Sequence, residues 1–181
     1  ILPGRRRPRG LSGDVQEFRG LPSIKREKQR TEAMKRSELR ENIFKLLFMA
    51  QFNRPEEMPE QMRLYFEAAQ EGREDVVCGR VPSTEDEAYI QEKYSRICEK
   101  LPEIDALLNE ISVGWKTSRM NKVDLTILRL AVYEMMYDEE VPTAVAINEA
   151  VELAKRFGGD DSTSFVNGIL GKAAREQGKN Q

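Results

Sequence analysis

"VDLTILRLAVYEMMY", residues 123–137, is the stretch whose reading decides the fold. At 100° per residue its apolar side chains occupy more than one face, the pattern of a helix surrounded by core. The helices to either side should then be amphipathic, each burying one stripe against it. Following Pro142, "TAVAINEAVELAKRF" (143–157) places Ile147, Ala150, Val151, Ala154 and Phe157 on one stripe, and Ala146, Ala150 and Ala154 allow close helix approach.

Before the central segment the period is also helical. Leu39, Ile43, Leu46, Leu47 and Ala50 form a buried face of a first helix. Pro55 and Pro59 break the chain ahead of a second helix near 60–71, which Gly72 ends. Thr84 and Glu87 have capping-box spacing and should open a third helix carrying Tyr94, Ile97 and Cys98. Leu101 falls just past its end, and Pro102 starts a fourth, with Ile104, Leu107, Leu108 and Ile111 inward. No period-2 run of strand length occurs. The expectation is an all-α protein of about seven helices.

Composition narrows the function. The 181 residues include Cys78 and Cys98 but no histidine, so neither a four-coordinate zinc site nor a Ser-His or Cys-His pair can be built. Carboxylate-only Mg²⁺ binding is conceivable, but nothing in the sequence requires it. No apolar stretch could span a bilayer, and no signal-peptide core follows the N-terminal arginines, so a cytoplasmic location is expected. Nine of the 29 basic and four of the 31 acidic residues fall within residues 1–33, leaving 20 against 27 over residues 34–181, a net −7. A nucleic-acid site on the folded part must therefore be local. Residues 1–33 read as a disordered basic extension, and Met34 reads as a natural start.

The stretch "RFGGDDSTSFVNGIL" (156–170) resembles a ligand loop at first sight. A phosphate-binding loop would need Lys-Ser/Thr after its glycines, where two aspartates stand, and an EF-hand would need alternating oxygen ligands and a distal Glu. Gly158 and Gly159 suit a left-handed helix end, and Asp161 or Ser162 can cap the helix that follows. It is a turn between helices.

Three segments, "WKTSRMNKVDLTILRLAVYE" (115–134), "PTAVAINEAVELAKRFG" (142–158) and "DDSTSFVNGIL" (160–170), closely resemble the NusB family of bacterial transcription antitermination factors, over about Lys35 to Ala174. The resemblance implies two packed small helical bundles, about 35–100 and about 101–176. It implies binding of the boxA element of nascent ribosomal RNA jointly with NusE, a small-subunit ribosomal protein. Acting through other Nus factors on the RNA polymerase elongation complex, such proteins help it read through terminators, with no catalysis and no cofactor. Some relatives form homodimers that mask the RNA surface. Two alternatives stand beside this. An accessory domain of an RNA methyltransferase would need a following domain with a glycine-rich cofactor loop and a nucleophilic cysteine, neither of which appears up to Gln181. A protein-interaction scaffold that has lost RNA binding is the other, because Ser37 and Glu38 stand where several members of the family carry basic residues.

On a helical wheel Ser37, Arg40, Phe44 and Phe48 line up beside the core stripe of the first helix, a guanidinium next to rings that suit single-stranded RNA. By the residues alone, both rings packed under a neighbouring helix with Arg40 solvated is the commoner outcome. The resemblance assigns this helix, with Lys35 and Arg36, to the RNA site. It adds Asp161, Ser162, Phe165 and Asn167 from the turn. Asn167 could equally make a packing bond, and Gly168 is expected where a neighbouring helix approaches. The resemblance gives Asp124 to the surface facing NusE, while an acid in a helix's first turn is also favourable by itself. Trp115, Arg119, Arg129 and Tyr133 read as structural, the tryptophan packed at an inter-helix corner.

Overall fold

A computed structural model describes residues 33–73 and 80–179. The N-terminal extension up to Glu32, Cys78 and the last two residues lie outside that description. Six α-helices follow in order: α1 (Arg36–Ala50), α2 (Met58–Gln70), α3 (Thr84–Ile111), α4 (Lys122–Tyr137), α5 (Thr143–Phe157) and α6 (Ser162–Lys179). Two short 3₁₀ turns precede α2 and α4, and no strand occurs among the described residues. No described helix is long and apolar enough to cross a membrane.

The central segment behaves as its pattern predicts. In α4 every residue from Asp124 to Met135 is buried except Arg129. The helix packs against α1, α3, α5 and α6. Ile127, Leu128, Leu130 and Val132 are among the most deeply buried side chains, each contributing about 1.5–3 kcal/mol of apolar burial. The buried apolar residues of α1 to α6 form one continuous cluster, which also takes in Met34.

Three local expectations are corrected. First, α3 runs unbroken for 28 residues through Pro102, so the two helices expected on either side of that proline are one. Proline deletes the amide that would bond the Cys98 carbonyl. Burial of Ile97, Ile104, Leu108 and Ile111 on both sides keeps the two halves on one axis all the same. Second, Ser83 rather than Thr84 caps α3: its Oγ accepts from Asp86 N–H at 3.1 Å, and the Asp86 carboxylate accepts from Ser83 N–H at 2.9 Å. Third, Gly158 is extended (φ −85°, ψ 177°), not left-handed. Among the described residues the left-handed glycines are Gly72, which does end α2, and Gly114 at the α3–α4 corner.

Candidate nucleic-acid interface

The first helix carries a buried ionic knot. Arg40 is only 7% exposed, and its Nε and Nη2 donate to the two Glu134 oxygens at 2.8 and 2.9 Å. Its Nη1 lies 3.4 Å from Glu149. Lys93 of α3 approaches the same Glu134 at 3.5 Å and Asp138 at 3.1 Å. Three helices (α1, α3 and α4) therefore meet through one carboxylate that is 1% exposed, and α5 joins through Glu149 on Arg40. Beside the knot, Glu41 is buried and pairs with Arg156 and with Lys45. Burial lowers the Lys93 pKa, but Glu134, with smaller help from Tyr89 and Asp138, outweighs it and the net direction is up.

Burial also pushes up the phenols of Tyr94 and Tyr133 and the Cys98 thiol. Each of these groups holds its proton more tightly in the fold than in the unfolded chain. Their contribution is complete below the unfolded values, about 8.5 for a thiol and about 10 for a phenol or ammonium, and is lost as pH rises through the folded ones. The urea midpoint should accordingly hold steady from pH 7 to 8 and fall clearly by pH 10.5. A midpoint unchanged at pH 10.5 would refute this.

Beyond the knot α1 presents rings. Phe44, Phe48 and Phe52 follow at intervals of four, with centroids 6.4 and 5.1 Å apart, and Phe157 of α5 joins Phe44 at 5.0 Å. A cation closes each end of this ladder: the Arg156 guanidinium lies 5.1 Å from the Phe157 ring and Lys122 Nζ lies 5.3 Å from the Phe52 ring. Gln51 fixes the second end by donating to the Lys122 carbonyl at 3.1 Å and to the Thr126 hydroxyl. Phe52 is 59% exposed, Phe48 half-buried and Phe44 3% exposed. A cleft of about 510 Å³ opens beside Phe44, Phe48 and Phe157, between α1 and α2.

The α5–α6 turn comes next. Ser162 is buried, and its Oγ accepts from Gly159 N–H at 2.9 Å. Asp161 holds the N-cap position, its carbonyl accepting from Phe165 N–H at 3.0 Å while its side chain is exposed. Asn167 is exposed. Phe165 is half-buried and meets Trp115 edge-on at 6.2 Å between centroids.

The model of the NusB family matches residues 37–175. The chain belongs to the NusB family. The transcription antitermination protein NusB of Agathobacter rectalis is 50% identical over 141 residues, which is 78% of this chain and all of the relative. The solved structure of T. maritima NusB is 31% identical, with a TM-score of 0.65 over 80% of this chain and 94% of that one. A solved complex of the antitermination factors NusB and NusE with double-stranded RNA matches at a TM-score of 0.61 and 19% identity, over 78% and 96% of the chains, a likeness of fold.

Within this NusB-family fold the residues singled out from sequence divide. Lys35, Arg36, Ser37, Asp161 and Asn167 are exposed, and Phe48 and Phe165 half-buried. Arg40 and Phe44 were placed beside the core stripe; both are in the core, because α5 closes over that side of α1 with Glu149 and Phe157. With Ser162, they offer a ligand little surface in this conformation. Asp124 lies in the first turn of α4 but is 8% exposed, and its Oδ1 is buried without a hydrogen-bond partner among the described residues. Gly168 faces open space and no helix approaches it. Arg129 is structural as read, forked onto Asp105 at 2.9 and 2.8 Å, and Tyr133 is buried. Trp115 is 55% exposed, contrary to the packed corner expected. The sequence reading missed Phe52, Lys122 and Arg156. The four-residue step from Phe44 through Phe48 could have found Phe52, whereas Lys122 and Arg156 come from other helices and had no local signal.

Proposed function

We propose that this chain is a non-catalytic, cytoplasmic RNA-binding antitermination factor that binds boxA of nascent ribosomal RNA together with NusE. One observation carries the reading: an aromatic ladder running from Phe157 of α5 along α1 to Phe52 just past its end, open at Phe48 and Phe52, with a cation at each end. Rings that stack on bases and cations that meet phosphates are what single-stranded RNA recognition requires. Lys35, Arg36 and Ser37 extend the surface at one end of α1, and Asp161, Phe165 and Asn167 extend it at the α5–α6 turn. NusE docks at the first turn of α4, around Asp124, the acid that the family resemblance assigns to that surface.

The test is fluorescence anisotropy of a labelled boxA RNA against a scrambled one, titrated with the full chain with and without NusE. Phe48→Ala and Phe52→Ala should each weaken boxA binding by about 1–3 kcal/mol, the worth of one base stack. Absence of any boxA preference with NusE present would defeat the reading. It would favour a protein scaffold, which the withdrawal of Arg40 into the knot and the acidic cleft of Glu38, Glu41, Glu149 and Glu152 at that end of α1 support.

A further inference from the structure

Trp115 is the chain's single tryptophan, and it stands more than half exposed on a corner that is anything but loose. Gly114 supplies a left-handed φ of +83°, Trp115 N–H donates to the Ser112 carbonyl at 3.1 Å, and Thr117 N–H donates to Asn109 Oδ1 at 2.8 Å. Phe165 supports the indole edge-on, which leaves the corner ordered before anything binds. Along α6 from Phe165, the residues at steps of three and four are Gly168, Lys172 and Arg175, which fall on one exposed stripe. A Cβ at Gly168 would meet nothing within 4 Å, so backbone can be approached between the ring and the cations. Lys172 and Arg175 line a cleft of about 260 Å³ with Val113 of the same corner.

The charge of this strip sets it apart. The chain from 34 to 181 carries a net −7, yet Lys116 and Arg119 lie on the same corner as Trp115, and Lys172 and Arg175 on the exposed α6 stripe. None of the four forms a salt bridge with a described residue. Glu110 and Glu176 line the cleft with Lys172 and Arg175, so the cleft itself is balanced and the excess of cations comes from Lys116 and Arg119 of the corner.

We propose that the α3–α4 corner and the outer stripe of α6 form a second nucleotide subsite, in which Trp115 stacks on one base and Lys172 and Arg175 hold the phosphates that follow it. The subsite rests on the RNA-binding reading and lengthens it: RNA continues past the α5–α6 turn onto this strip. Lone exposed aromatics also serve protein docking, but a ring with two cations on its own corner and two more along the adjoining α6 stripe, none in a salt bridge with a described residue, matches a polyanion better.

The single tryptophan makes the test direct. Labelled boxA RNA, bare or extended by six uridines on either side, is titrated into the full chain with NusE present, following label anisotropy and Trp115 emission together. NusE is kept free of tryptophan. Extended RNA should quench Trp115, and bare boxA should leave it nearly unchanged. Trp115→Ala should weaken the extended RNA about tenfold and bare boxA hardly at all. Lys172→Ala should flatten the slope of log affinity against log salt by about 0.7 for the extended RNA only. Circular dichroism of both variants establishes that they are folded. Binding of extended RNA with Trp115 emission and affinity unaltered overturns the subsite and leaves the RNA reading intact. Failure of every RNA to bind overturns both. A Trp115 change caused by NusE alone, with none on adding RNA, overturns the subsite in favour of a protein contact.

Discussion

Arg40→Ala should cost about 3–5 kcal/mol of folding free energy, the loss expected when one member of a buried ion pair is removed and the other remains. The residue left behind is Glu134, 1% exposed, with only Lys93 at 3.5 Å to answer its charge. The Arg40 pKa shows the same balance: burial lowers it, but the hydrogen bond and charge of Glu134 and the charge of Glu149 raise it further, so the guanidinium stays ionised. Arg40→Lys should rescue little, because an ammonium cannot reproduce the two-pronged contact. The double variant Arg40→Met/Glu134→Leu should recover much of the loss, since an apolar pair of similar volume carries no desolvation penalty. Urea unfolding measures all three. If Arg40→Ala unfolds within about 0.5 kcal/mol of the parent, the knot is ornamental and the side chain is free to serve RNA. Loss of RNA binding in Arg40→Ala would therefore be ambiguous alone. Arg36→Ala is the cleaner probe, since Arg36 is exposed on the first turn of α1.

Gly158→Ala should destabilise by about 1–3 kcal/mol, the usual penalty of overpacking. The backbone torsion of Gly158 suits any residue, so alanine there should otherwise bring a modest gain through the unfolded chain. Space forbids it: a Cβ would fall on Ser162 and within 2.7 Å of the Ala154 carbonyl. The backbone oxygen cannot rotate away, so α5 and α6 would have to part at their joint. That joint also positions Asp161 and Phe165 at the proposed RNA surface. Gly159→Ala is the control, because a Cβ there meets nothing within 4 Å. Thermal unfolding of the two variants should separate them by several degrees. If they unfold alike, the close approach at Gly158 is not what selects glycine.

Much of this protein follows from short-range pattern. The run of 123–137, apolar on more than one face, required a helix with neighbours on several sides, and the stripes of α1 and α5 supplied two of those neighbours. The two loop chemistries that 156–170 resembled could be dismissed because the residue types were wrong for them. The family was legible in three segments within 115–170, and the exposed members of the proposed site could be named with it.

What the tertiary structure alone decided has a common physical cause: each outcome depends on a group distant in sequence. Pro102 should have ended a helix by its local geometry, but core side chains on both sides of it keep α3 whole. Arg40 looked like a phosphate ligand until Glu134, 94 residues away, claimed its guanidinium. Phe44 passed from the surface to the core when Phe157 closed over it, and Phe52 gained its cation from Lys122. Trp115, expected to pack at an inter-helix corner, stays more than half exposed, with Phe165 of α6 meeting it edge-on. Periodicity reports which side of a helix is apolar. Whether a given side chain is covered, paired or left for a partner depends on what the rest of the chain brings to it.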